Sequence, residues 1–353
     1  MSFLPGSRAS SWRTRAQGPY QPAVGGHRPT LAPHARVGGC AAAGAAGAAL
    51  WSAAHWRSMR SLDWAPSPVE PRPCGPLWAR SLGESIDAVV LLHGLISTGD
   101  VFGAAFDRLG ATHRLVVPDL LGFGRSIDEE RFSFDVDAHL DALDELAVRT
   151  GLFESSRWTL GAHSMGVAVA LHWAARHPDR VVRIIGWGAP IYSSPEQARR
   201  RVAGSPMARL FALDTEWASW ACALSCRHRT AAGWLSVVAD PRVPVAVARS
   251  VPRHTWPAYS AAVRQFALDV DWKRLVAEAA RNDVEVGFVW GACDRVGDQA
   301  FTARLIQSSP TAWIELLEHG DHRLPLSHPT TCIAQLTAPR SAGASRGHHL
   351  AEQ

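Results

Sequence analysis

The greatest chemical content in this chain sits around one serine, in the run WTLGAHSMGVAVALHWAA over residues 158–175. There Ala162-His163-Ser164-Met165-Gly166 joins a short apolar stretch to an amphipathic helical one. A turn tight enough to reverse a strand into a helix makes side chains collide at the two flanking positions. That is why Gly or Ala stands there, and why the serine Oγ is forced outward over the helix N-terminus. The N–H groups of that helix end favour a developing negative charge. A serine hydroxyl is too weak an acid to attack unaided at neutral pH, so the chemistry needs an imidazole to take the proton and a carboxylate to hold the imidazole. With sixteen histidines present, composition does not choose the base.

Two competing groupings read more plainly. Cys222-x3-Cys226-x-His228 could suggest a metal, but no second ligand pair follows at zinc spacing, so the cluster reads as a packed helix face. No metal and no cofactor are expected. Gly122-x-Gly124 is not a dinucleotide fingerprint, because position 127, where the third glycine would fall, is Ile. The six cysteines show no regular framework in a chain large enough to bury a core, so a reducing, cytoplasmic setting is expected.

The serine needs a scaffold, and from residue 69 short apolar runs alternate with helical periodicity, the sign of a mostly parallel α/β sheet. Residues 88–92, 114–117, 158–161, 181–187, 284–290 and 312–317 have the length of buried strands. Residues 134–150 carry apolar side chains at helical spacing, with Ser133 as the expected N-cap and Gly151 as the stop. Charge is uneven. Residues 1–62 hold seven Arg and no Asp or Glu, which leaves 29 basic against 32 acidic residues in the remainder. A mildly acidic body argues against a nucleic-acid groove.

Four blocks in order resemble the α/β-hydrolase fold superfamily: His93-Gly94-Leu95 after a VVLL strand, PDLLGFGRS at 118–126, the turn around Ser164, and GDHRLPLSHP at 320–329. The similarity runs from about residue 69 to 338 and departs from the common pattern at Ala162, where Gly is more usual, and at Asp321, where many relatives have Gly. The resemblance implies a mostly parallel central sheet flanked by helices, with a helical cap inserted after strand 6. It also implies Ser164 as nucleophile, Asp294 as the acid and His322 as the base, with His319 and Asp298 as weaker rivals. The backbone N–H groups of Leu95 and Met165 would form the oxyanion hole, supported by His93, Gly94 and Gly166. His93 is expected to order the oxyanion loop through hydrogen bonds, and His163 to look out of the turn. Asp119, Gly122, Gly124 and Arg125 read as structural support.

The expected organisation is an unstructured or over-called extension at 1–62, a core of 63–190 and 280–338, a helical cap at 191–279 and a disordered tail at 339–353. The extension has a transit-like composition and a 20-residue uncharged stretch between Arg36 and Arg57, too rich in Ala and Gly for a convincing membrane span. Trp217, Trp220, Trp234, Trp256, Phe211 and Phe266 would furnish the cap core, with some rings reaching a small, largely apolar substrate. The expected activity is that of a serine hydrolase acting on a carboxylic ester through an acyl-enzyme. A carbon–carbon bond hydrolase with the same triad, or a hydrolase-fold binding protein without turnover, are the alternatives. Dehalogenase or epoxide-hydrolase chemistry fits less well, since it uses a carboxylate where this chain has Ser164. The sequence leaves the oligomeric state open.

Overall fold

Alternation along the apolar runs decides the architecture. The computed structural model describes residues 35–131, 133–203 and 216–339, and in it eight strands form one sheet in the order β1-β2-β4-β3-β5-β6-β7-β8. These are β1 (Arg72–Cys74), β2 (Leu77–Leu82), β3 (Asp87–Leu92), β4 (Arg114–Asp119), β5 (Arg157–His163), β6 (Val181–Trp187), β7 (Glu285–Gly291) and β8 (Ala312–Leu317). Successive residues enter opposite layers: Val90, Leu92, Val116, Ile184 and Phe288 face one core, while Val89, Leu91, Leu115, Val117, Ile185 and Val289 face the other. A sheet buried on both faces needs helices on both, which is why its central strands read as unbroken apolar runs.

The helices Val136–Arg149, Gly166–Arg176 and Trp272–Arg281 cover the first layer. The short helix Gly103–Asp107 and the C-terminal helix Pro329–Thr337 cover the second, through Phe106, Cys332 and Leu336. All pairings from β4 to β8 are parallel, whereas β1 and β2 add antiparallel at the edge. That edge was not apparent in the sequence, because β2 carries Arg80. Its guanidinium is buried, paired with Asp107 at 2.9 Å and donating to the Gly99 carbonyl at 3.0 Å.

Between β6 and β7 the chain forms helices at Pro195–Ala203, Glu216–Arg227, Arg229–Ala239, Val245–Ser250 and Trp256–Val263, the last continued by a wider turn to Leu268. Helix Trp272–Arg281, assigned to the insert from sequence, instead buries Trp272, Leu275, Val276 and Ala279 in the main core. Two further expectations need correction. Residues 35–61, expected to lack structure, include the helix Ala35–Ser61, from which the Trp51 indole donates to the Val238 carbonyl at 3.1 Å. The N-cap of helix Val136–Arg149 is Asp135 rather than Ser133: its carboxylate accepts from the Ala138 N–H at 2.8 Å, and the Ser133 hydroxyl only buttresses that carboxylate at 2.7 Å. Gly151 does stop this segment, in the left-handed conformation. Among the described residues, no helix is long and apolar enough to cross a membrane. The expectations for residues 1–34, for Phe211 and for residues 340–353 lie outside the described residues.

Arg183 on β6 and Glu285 on β7 face each other in register, both buried, with guanidinium–carboxylate contacts of 3.0 and 2.7 Å. The Trp313 indole also donates to this carboxylate, at 3.1 Å. Removing one partner strands a buried charge, so Arg183→Met should cost about 3–5 kcal/mol in urea unfolding. A loss below about 1 kcal/mol, the usual size for an exposed pair, would contradict that reading.

Candidate active site

Strand order places the site before any side chain is considered. β4 lies on one side of β3 and β5 on the other, so the connections diverge at the carboxyl ends of β3 and β5, where open α/β sheets form their crevice. Leu92 pairs with Ala162, which brings the loop beginning at His93 alongside Ser164. β5 ends at His163, the next helix begins at Gly166, and between them Ser164 adopts φ 53°, in the left-handed region. Such a backbone costs a non-glycine residue roughly 1–2 kcal/mol. It is held by the Ser164 N–H donating to the Trp187 carbonyl at the end of β6, at 2.8 Å. A Cβ on Gly166 would sit 2.6 Å from the Leu92 carbonyl oxygen and 2.8 Å from that of His93, so the turn cannot close over a larger residue.

The loops after β7 and β8 deliver the other two groups. His322 Nε2 lies 3.2 Å from Ser164 Oγ, and its Nδ1 lies 3.0 Å from Asp294 Oδ2. A carboxylate only accepts, so Nδ1 carries the proton and Nε2 presents its lone pair to the serine hydroxyl. The Asp294 carboxyl is fully buried, its other oxygen accepting from the Val296 N–H at 2.8 Å, while about a third of the His322 side chain is exposed. The rivals are elsewhere: His319 is exposed in the turn after β8, and Asp298 caps helix Gln299–Ile306 by accepting from the Phe301 N–H at 2.8 Å. Asp321 pairs with the Arg323 guanidinium.

Two residues matter here that the sequence reading missed or misplaced. Gly188, just past β6, has φ 63°, and a Cβ there would lie 2.8 Å from His322 Nδ1 and 3.0 Å from Asp294 Oδ2. Nothing in the sequence marks it except a glycine at a strand end. His163, expected to look outward, is buried, and its Nε2–H donates to the His322 carbonyl at 2.7 Å. It therefore holds His322 in place through the backbone.

Facing the serine, the loop after β3 is wired from behind. The fully buried His93 accepts the Leu120 N–H on Nε2 at 2.8 Å, so its Nδ1–H donates to the Gly94 carbonyl at 2.7 Å. In a trans peptide the carbonyl and the following N–H point in opposite directions, so the Leu95 N–H is turned away from the His93 ring. Asp119 secures the far end of the loop, accepting from the Gly99 N–H at 2.7 Å and the Arg125 N–H at 2.8 Å. Ile96 has φ 50°, a strained conformation for a β-branched residue. Leu95 and Ile96 pack with Trp256, Tyr192, Tyr259, Val263 and Leu268, an apolar cluster joining this loop to the helical insert. Of the other rings expected in the insert core, Phe266 belongs to the main core, whereas Trp217 and Trp220 stack at 5.0 Å on the surface and Trp234 is exposed.

A family profile described as alpha/beta hydrolase fold matches residues 87–214. The chain has the α/β-hydrolase fold. It is 24% identical over 258 residues to a cis-3-alkyl-4-alkyloxetan-2-one decarboxylase of Xanthomonas campestris, covering 67% of this chain and 82% of that protein. It is 22% identical to the probable lysophospholipase BODYGUARD 4 of Arabidopsis thaliana, covering 69% of this chain but only 61% of that longer relative. Among solved structures, the esterase RhEst1 from Rhodococcus superposes with TM-score 0.56 at 19% identity, over 78% of this chain and 99% of that one.

Within this hydrolase fold several imidazoles are buried neutral. Burial, reinforced by the neighbouring His322, pushes His163 down to about 3, and burial pushes His139 and His254 down to about 4. In the unfolded chain each protonates near pH 6.5, so between that pH and about 4 the unfolded state binds more protons than the folded one. Stability should therefore fall as pH drops through this window, by about 1.4 kcal/mol per pH unit for each histidine. Urea midpoints at pH 7.5 and 5 test this: the pH 5 value should be lower, and an equal or higher one would contradict it.

Proposed function

We propose that the protein is a serine hydrolase that cleaves a small, largely apolar carboxylic ester through an acyl-enzyme on Ser164. The observation that carries this reading is the unbroken chain from Ser164 Oγ to His322 at 3.2 Å and from His322 to the buried Asp294 at 3.0 Å. Nε2 of His322 takes the hydroxyl proton as Oγ attacks the acyl carbon, and Asp294 stabilises the imidazolium that forms. The carbonyl oxygen becomes an oxyanion, received by the Met165 N–H at the helix start and the Leu95 N–H that His93 turns outward. The proton on His322 passes to the leaving alcohol, whose C–O bond breaks. Water then attacks the acyl-enzyme with His322 again as base, releasing the acid and restoring Ser164.

The apolar cluster of Leu95, Ile96, Trp256 and Tyr259, which takes in the loop after Gly94 that faces Ser164, supports an apolar acyl or alcohol group. In this proposal the helices between β6 and β7 act as the cap that excludes water from that side. The name of the relative described as a probable lysophospholipase fits an acyl–oxygen bond as the point of attack. Pairing of nucleophile, base and acid also favours turnover over a binding-only role, which needs none of the three in register.

Labelling with a fluorophosphonate probe tests the proposal. The wild type should label, Ser164→Ala should not, and Asp294→Asn should lose roughly 10⁴-fold in p-nitrophenyl ester turnover, because the imidazole then loses its tautomer. Asp298→Asn, outside the site, should keep turnover within about threefold, as expected for a change without transition-state contact. A folded wild type that resists the probe, or labelling that survives Ser164→Ala, would refute the assignment. Gly188→Ala offers a separate check. Displacing His322 from Asp294, it should lower turnover by about 100-fold or more, a cost in keeping with misplaced catalytic groups. Unchanged turnover would show that the close approach at Gly188 does not fix the dyad.

A further inference from the structure

Away from Ser164, three metal-ligating side chains converge. Cys222 and Cys226 stand one turn apart on the insert helix Glu216–Arg227, and His254 comes from the segment leading into helix Trp256–Val263. The sequence pattern had pointed to His228 as the third member. That residue instead starts the next helix, and His254 takes its place from 28 residues further along. Cys222 Sγ lies 3.7 Å from Cys226 Sγ and 3.4 Å from His254 Nε2, and all three donor atoms lie within 4.8 Å of one another.

The two spacings from Cys222 match edges of a coordination tetrahedron. Thiolate bonds of about 2.3 Å and an imidazole bond of about 2.0–2.1 Å separate sulfur from sulfur by about 3.8 Å and sulfur from nitrogen by about 3.6 Å. The imidazole is also correctly presented: Nδ1 lies 3.0 Å from the Val251 carbonyl, which accepts its proton and leaves the Nε2 lone pair toward Cys222. Phe123 and Tyr259 flank the His254 ring at 6.3 and 5.6 Å, so two thiolates and a divalent cation would form a neutral unit in an apolar setting. Arg229, which interacts with Cys226, is itself neutralised by Glu129 at 2.7 Å.

We propose that Cys222, Cys226 and His254 bind one Zn²⁺ ion or a similarly thiophilic divalent cation, with solvent in the fourth position. The ion fastens the insert to the core. His254 bridges to Phe123, and the Arg253 carbonyl accepts from the Gly124 N–H at 2.8 Å, in the turn that follows β4. Cys222 and Cys226 belong to the insert helix, so a shared ion ties that helix to the turn bearing Asp119 and Leu120, whose partners set the loop facing Ser164. Binding converts two thiols to thiolates and releases their protons to solvent; no electrons move.

Titration of the full-length, reduced protein with Co²⁺ tests the site. One equivalent should produce thiolate-to-cobalt charge-transfer absorption and the intense visible bands of a tetrahedral ion, both removed by one equivalent of Zn²⁺. Zn²⁺ should also raise the Tm. Cys222→Ser and Cys226→Ser should each reduce the charge-transfer intensity, His254→Gln should weaken binding at least tenfold, and Cys293→Ser, exposed elsewhere, should change nothing. The wild-type spectrum decides alone if the variants misfold. A folded, reduced wild type showing only the weak spectrum of hydrated Co²⁺ overturns the proposal. So does a charge-transfer band that persists when both Cys222 and Cys226 are replaced, or a Cys222–Cys226 disulfide in the protein as isolated.

Discussion

At Ser164 the chain turns from strand to helix through a left-handed backbone that a side-chain-bearing residue adopts only under constraint, and that turn dictates much of its surroundings. The carbonyls of Leu92 and His93 lie where a Cβ at position 166 would be, so residue 166 must be glycine. Gly94 approaches the same turn from the neighbouring loop, where a Cβ would meet Ser164 Cβ and His163 Nδ1 at 3.0 Å. The Trp187 carbonyl fixes the third side by accepting the Ser164 N–H. A local cost of about 1–2 kcal/mol persists because these contacts, and the buried strands behind them, leave the backbone no alternative path.

Around that turn, positioning is done in successive layers. His322 reaches Ser164 because Asp294 holds one side of its ring and His163 holds its carbonyl, and Gly188 leaves room for both His322 and Asp294. His93 acts in the same manner on the opposite loop: an N–H from the β4 turn fixes its tautomer, and that tautomer fixes the Gly94 peptide. His93 and His163 each serve as a neutral, directional hydrogen-bonding group, and burial keeps them so. The requirement sets stability against acid, because the unfolded chain is free to protonate what the folded one must keep neutral.

Much of this was legible in the sequence. Six strands follow from short apolar runs, whereas Asp294, His322 and the place of His93 come from the resemblance to the hydrolase fold, and the structure brings Ser164, Asp294 and His322 together. What escaped notice has physical reasons. β2 was hidden by Arg80, a charge that pattern reading assigns to solvent but that here is buried with Asp107. Helix Trp272–Arg281 follows a long insert, and nothing local distinguishes a face that packs on the core from one that packs on the insert. Gly188 and His254 act through residues distant in sequence, so no window centred on them carries the signal. Asp135 displaced Ser133 as a cap because both residues can cap, and only the backbone path selects between them.

The central claim is that the Ser164 turn presents its oxygen between the His322 ring and two backbone amides. A crystal structure of the covalent phosphonate adduct tests it most directly. The account predicts phosphorus bonded to Ser164 Oγ and a phosphoryl oxygen about 2.7–3.1 Å from the N–H groups of both Leu95 and Met165. A phosphoryl oxygen directed into solvent, away from both amides, or an adduct on another residue would contradict it.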